Sequence, residues 1–217
     1  MVFELNALFS LSIAIGGIIG WIRVKKTDPA FLPFLWLLWS GLLNEIASIA
    51  IIKAGYSNAI NYNIFSLAEA LLITWQFRKW NLFENQRRIY YFLQFAFIAG
   101  WLAEVFLLHD MRLFNSYFII GHSALIVLMS INMLNKVMFG EPSFLLYNPI
   151  FLICMGMIIY FTYAILVEAF WVYGLNKSKG FRIQIYEILA YINLFTNLVF
   201  ALATLWIPLK QEYIMRS

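Results

Sequence analysis

Cysteine, histidine and charge are all scarce in this chain. Of 217 residues one is cysteine, two are histidine, and Asp, Glu, Lys and Arg together make up 12%. One cysteine cannot form an internal disulfide, and no metal-ligand spacing surrounds Cys154. It lies in an apolar run and reads as a small buried hydrophobe. A soluble domain carries roughly 25% charged residues, so an ordinary soluble fold is excluded. No basic residue precedes Arg23. The charged start of a cleavable signal peptide is therefore missing, and residues 4–24 read as a retained first span. The chain also lacks a P-loop, a GxSxG elbow, a kinase signature and an HExxH pair, which removes the motif-defined enzyme classes. Between Glu187 and Pro208 there is no lysine to carry a retinal Schiff base.

What is present is hydrophobicity. Apolar residues make up 63% of the chain and aromatic ones 19%, the composition of an integral membrane protein. A helix needs about 20 apolar residues to cross the hydrocarbon core. Seven segments meet that length, at 4–24, 31–54, 60–80, 88–108, 114–138, 149–173 and 184–207. The expected fold is all-α, a compact bundle of seven transmembrane helices forming one domain over 1–217. Punctuation supports the breaks. Asp28-Pro29 separates the first two spans, and Gly55, Gly140 and Gly174 follow span ends, where a left-handed cap is wanted. Asn148-Pro149 starts the sixth span and Pro208 stops the seventh.

The formal net charge of +4 does not point to nucleic acid, because the basic residues fall in short connections between apolar runs. With the N-terminus outside, the cytoplasmic side collects Arg23, Lys25, Lys26, Arg78, Lys79, Arg87, Arg88, Lys136, Lys210 and Arg216. The outer side collects Lys53, Arg112, Lys177, Lys179 and Arg182. That bias sets the N-terminus outside and the C-terminus in the cytoplasm. The expected location is a plasma membrane, of the bacterial inner-membrane kind, with the lipid bilayer as first partner. Trp21, Trp75, Trp80, Trp171 and Trp206 lie near span ends, as interfacial anchors do. Trp36, Trp39 and Trp101 sit deeper, where packing between helices is expected.

The polar residues inside the spans gather in the outer half. Glu45 and Glu69 each lie about 13 Å below the outer boundary, and His122 and Asn193 come at nearly the same depth, at about 1.5 Å per residue. Glu104, Glu168 and Glu187 lie nearer the outer boundary. Stripes at spacings of three and four agree: Gly41, Glu45 and Ser48 on the second span, and Tyr62, Ser66, Glu69 and Gln76 on the third. Asn115, His122 and Met129 line the fifth, Phe161 and Glu168 the sixth, and Asn193 and Asn197 the seventh. A charge at a helix centre costs roughly 2.5–3.5 kcal/mol. Glu45 and Glu69 should therefore pair, take up a proton or line water. Asn44, Ser48, Asn132, Asn197 and Thr204 are expected to bond neighbouring helices, and Glu104, Glu187 and Lys53 to reach water. His109, beside Asp110 in an outer loop, is expected to be solvated.

The candidate ligand-binding set is Glu45, Glu69, His122, Glu168, Asn193, Asn44, Asn197 and Ser66. Imidazole with carboxylates would suit a divalent ion, but two histidines without helical pairing assign no metal, and no cofactor is identified. The expected activity is that of a receptor or sensor. It binds a small ligand, ion or proton in this acidic outer pocket and signals to a cytoplasmic partner at the basic loops. A proton- or cation-coupled transporter is the alternative, and an intramembrane enzyme acting on a lipid a further one. Spans 1–3 and 5–7 can be set as parallel repeats, with Glu45 matching Glu168 and Glu69 matching Asn193. Gly16-x-x-x-Gly20 offers a close-packing face, toward another helix of the chain or a second copy. The oligomeric state is left open.

Overall fold

The computed structural model describes residues 3–108, 110–140, 145–174 and 178–210. His109, Lys177 and Arg216, and the side chains of Lys179 and Arg182, lie outside them. The described residues form eight α-helices and short 3-10 turns, with no strand among them beyond a single bridge between Thr27 and Leu209. The helices are α1 (Phe3–Ser10), α2 (Ile13–Arg23), α3 (Leu32–Lys53) and α4 (Ala59–Lys79), then α5 (Arg87–Ala103), α6 (Ser116–Gly140), α7 (Pro149–Val172) and α8 (Lys179–Trp206). Six stretches are long and apolar enough to cross a membrane: Glu4–Lys26, Pro29–Lys53, Arg87–Leu108, Ser116–Phe139, Pro149–Val172 and Ile183–Trp206. This is a multi-pass membrane bundle.

The turn chemistry falls where the sequence places it. The Asp28 carboxylate accepts from the Ala30 amide at 2.8 Å, ahead of Pro29. The Asn148 side chain accepts from the Ile150 and Phe151 amides at 2.9 and 3.2 Å, with Pro149 opening α7. Gly55 and Gly174 take the left-handed conformation that ends a helix. Two expected spans are interrupted. The first breaks at Leu11-Ser12 into α1 and α2, and the fourth ends in a π turn over Glu104–Leu108.

The third expected span, α4, is not among the six apolar stretches. It has 21 residues and carries Asn61, Asn63, Ser66, Glu69, Thr74 and Gln76. Such a helix is tolerated in a bundle when its polar groups meet partners. Gln76 accepts from the Phe34 amide and donates to the Ala30 carbonyl, both at 2.7 Å. Asn63 donates to the Leu113 carbonyl at 2.7 Å and accepts from the Asn115 amide at 3.1 Å. Asn61 donates to the side chains of Asn44 and Ser48, both at 2.9 Å. Thus α4 is a polar staple between α3 and the segment entering α6. Gln76→Leu would strand two buried backbone groups. It is expected to lower unfolding stability by about 1–3 kcal/mol, read by thermal unfolding of the purified chain; an unchanged melting curve would contradict the staple.

One half of the bundle is a dry apolar plug. Phe34, Leu35, Leu38, Ile73, Phe77, Ile126, Ile153 and Met157 are essentially inaccessible. Cys154 is buried among them, as expected for a small hydrophobe. This half is the basic end. There the Arg23 guanidinium donates to the carbonyls of Thr204, Leu205 and Ile207, which caps the C-terminus of α8. Lys136 donates to the Asn81 carbonyl at 3.1 Å.

Three packing expectations are corrected. Glu104 does not reach water: it is 2% exposed and accepts from the Tyr117 and Phe118 amides, because the start of α6 offers unpaired N–H groups. Trp80 is buried against Phe31 and Phe77 instead of anchoring at an interface. Trp36 lies 54% exposed on the bundle surface. Trp39 and Trp101 do pack between helices, donating to the Gly17 and Asn63 carbonyls. A Cβ on Gly20 would meet Leu35 at 2.8 Å, and one on Gly16 would meet Leu38 at 3.3 Å. Both glycines are therefore used inside the chain, against α3 and α8.

Candidate functional site

The other half of the bundle holds polar cavities. The deeper one has a volume of about 60 Å³ and lies where the α1–α2 break meets α3, α4, α7 and α8. Its polar lining comprises Ser10, Glu45, Glu69, Asn193, Thr196 and Asn197, with Tyr160 beside them. At roughly 10–15 Å³ per water it takes a few waters or one small cation, and no organic ligand.

The helix break shapes one wall. Asn197 donates to the Ser12 hydroxyl at 3.0 Å and to the Ser10 carbonyl at 3.4 Å. It thereby satisfies backbone and side-chain oxygens that a continuous helix would not present. Interrupted backbone at membrane depth is tolerated where it faces protein or a wet cavity. The Ser10 hydroxyl also faces Glu45, and Glu45 and Glu69 lie within electrostatic reach of each other. Thr196 is 2% exposed and its hydroxyl has no hydrogen-bond partner among the described residues.

His122 adjoins the cavity through Glu69. Its ring stacks on Phe118 at 4.9 Å and meets Phe161 edge-on at 5.9 Å. Its Nδ1 lies 3.0 Å from the Phe118 carbonyl. A carbonyl only accepts, so Nδ1 carries the proton and the neutral ring keeps its lone pair on Nε2. Nε2 has no hydrogen-bond partner among the described residues and faces Glu69 Oε2 at 3.7 Å. Singly protonated, the ring turns a lone pair toward Glu69; doubly protonated, it forms an ion pair with that carboxylate. No other basic group lies within ion-pair reach of Glu45 or Glu69 among the described residues. A proton or a cation between His122 and Glu69 would satisfy both groups.

The remaining expected residues go elsewhere. Asn44 accepts from Asn61, and the Ser66 hydroxyl donates to the Asn63 carbonyl at 2.8 Å. Both serve helix packing. Glu168 lines a second, larger cavity of about 730 Å³ near the ends of α4, α6, α7 and α8. There it accepts from the Ser116 hydroxyl at 2.6 Å. Tyr62 lines the larger cavity and Tyr160 the deeper one, and both are within electrostatic reach of Glu45, Glu69 and Glu168. The one expected pocket is therefore two, arranged in depth. The sequence reading missed Ser10, Ser12, Thr196 and Tyr160. The paired hydroxyls of Ser10-Leu11-Ser12, inside an apolar run, were the available signal for the break. No protein-family model matches the chain, and no curated protein or solved structure is found to be similar to it.

Proposed function

We propose that this chain is a membrane sensor of a proton or a small monovalent cation, bound between Glu45, Glu69 and His122 in the deeper cavity. The observation that carries the reading is the approach of His122 Nε2 to Glu69 Oε2 at 3.7 Å, beside a second carboxylate. Leu37, Leu38, Ile73 and Met157 line the cavity and also belong to the apolar plug, so the cavity ends against the plug. A receptor needs that arrangement and an open channel does not have it. The element suited to relay occupancy is α4. It holds Glu69 at the cavity, Gln76 two turns on as the lock to α3, and Arg78 and Lys79 at the basic end. A shift of Glu69 toward a bound cation would be felt along one rigid helix by a cytoplasmic partner at those basic residues.

The test places a thiol reporter at the basic end, Asn81→Cys in a Cys154→Ala background, with the chain in nanodiscs. Its labelling rate is expected to change with pH or with sodium, and a flat response to both would remove the sensor reading. A second reading, a proton- or cation-coupled transporter, is favoured by the α1–α2 break at the cavity, since ion sites of transporters use interrupted helices. Sustained proton or sodium flux in proteoliposomes would select it. The sensor reading expects none.

A further inference from the structure

We infer that the larger cavity is a binding site for an organic ammonium ion, distinct from the small-cation site below it. Three features of the chamber combine. Its walls are aromatic: Tyr62, Phe114, Tyr117, Trp171 and Tyr186. The rings are organised among themselves. Tyr62 meets Phe114 edge-on at 5.6 Å, and Trp171 Nε1 donates to the Tyr186 hydroxyl. Among them stands Glu168, whose one described hydrogen-bond partner is a neutral hydroxyl, Ser116. No basic side chain lies within ion-pair reach of it among the described residues. The nearby carboxylate of Glu104 adds negative potential and is itself committed to the amides of α6.

Ring faces and a carboxylate are the chemistry that holds alkylammonium groups. A bare sodium ion wants several oxygen ligands and gains little from ring faces. The volume of about 730 Å³ falls in the range of small-molecule sites, about 300–1,000 Å³. The deeper cavity, at about 60 Å³, is too small for the same ligand. An interfacial aromatic belt accounts for the rings. It does not account for a carboxylate set among them and bonded to a neutral hydroxyl. This site uses none of the side chains that carry the sensor reading, and it stands or falls apart from it.

The test is calorimetric titration of tetramethylammonium chloride into the full chain in nanodiscs, with sodium chloride at matched concentration as the control. The expected result is saturable binding in the millimolar range or tighter, which sodium does not reproduce. Glu168→Gln and Trp171→Leu should each weaken it by about tenfold or more, and Glu69→Gln should leave it unchanged. Absence of saturation into the hundred-millimolar range would overturn the inference, as would equal binding by sodium. So would full affinity in a folded Glu168→Gln variant, or loss of binding in Glu69→Gln. Should Glu168→Gln fail to fold, Trp171→Leu carries the same comparison. A flat Asn81→Cys response would sink the sensor reading and leave this titration untouched.

Discussion

Replacing Glu104 with alanine is expected to lower unfolding stability by about 2–6 kcal/mol, since each of two stranded buried donors costs about 1–3 kcal/mol. The carboxylate is 2% exposed and accepts from the backbone amides of Tyr117 and Phe118. Those amides belong to the first turn of α6, whose N–H groups have no partner within the helix. The carboxylate also sits at the positive end of the helix dipole. The π turn begins at Glu104, with Glu104 and Val105 facing inward while Phe106, Leu107 and Leu108 face outward. In Glu104→Gln one acceptor oxygen remains, so the loss should be about half as large. Unfolding of the purified chain in a denaturing detergent measures both variants. Equal stability of wild type and Glu104→Ala would show that α6 does not depend on this cap.

The second large effect is functional. Glu69→Gln should abolish the pH or sodium response of the Asn81→Cys reporter and weaken cation binding by about tenfold or more. One unit charge at about 4 Å contributes roughly 4 kcal/mol at an effective dielectric of 20. After the substitution, Glu45 is the only carboxylate left on the cavity wall. His122→Phe then separates the two candidate ligands. If the ligand is a proton held between Nε2 and Oε2, the phenyl ring erases the response as fully as Glu69→Gln does. If the ligand is sodium, the carboxylates and Thr196 still bind it and the response survives. A Glu69→Gln protein that responds like the wild type would refute the placement of the ligand.

The fold was legible where local chemistry is strong. Run length, the two X-Pro starts and the left-handed glycines placed most helix boundaries within a few residues. Seven spans were expected and six stretches are apolar enough to cross a membrane; the seventh, α4, is present as a helix but is held by its partners and not by its own apolarity. Asn61, Asn63 and Gln76 bond residues far off in the chain, and no window of sequence contains those partners. The same limit hid the role of Glu104, whose hydrogen-bond donors are amides more than a dozen residues later. For the site, depth and helical face were enough to group Glu45, Glu69, Asn193 and Asn197 on one cavity, with His122 against Glu69. They could not separate Glu168 from that group. Depth along a helix says nothing of which neighbours close over it, and here Tyr160 closes on the deeper cavity and Tyr62 on the larger one. Nor could they show that Ser66 and Asn44 turn to packing, since a polar side chain on the right face may be used by the next helix before it reaches a cavity.

Glu45 and Glu69 line one cavity, and in the proposed sensor they compete for one bound proton or cation. Infrared difference spectroscopy of the chain in nanodiscs, stepped across pH, follows each protonated carboxyl band. Glu45→Gln and Glu69→Gln assign the two bands. The expected result is coupling: removing either carboxylate moves the titration midpoint of the other, and sodium moves both. Two midpoints that ignore each other's substitution, and that sodium leaves in place, would contradict it.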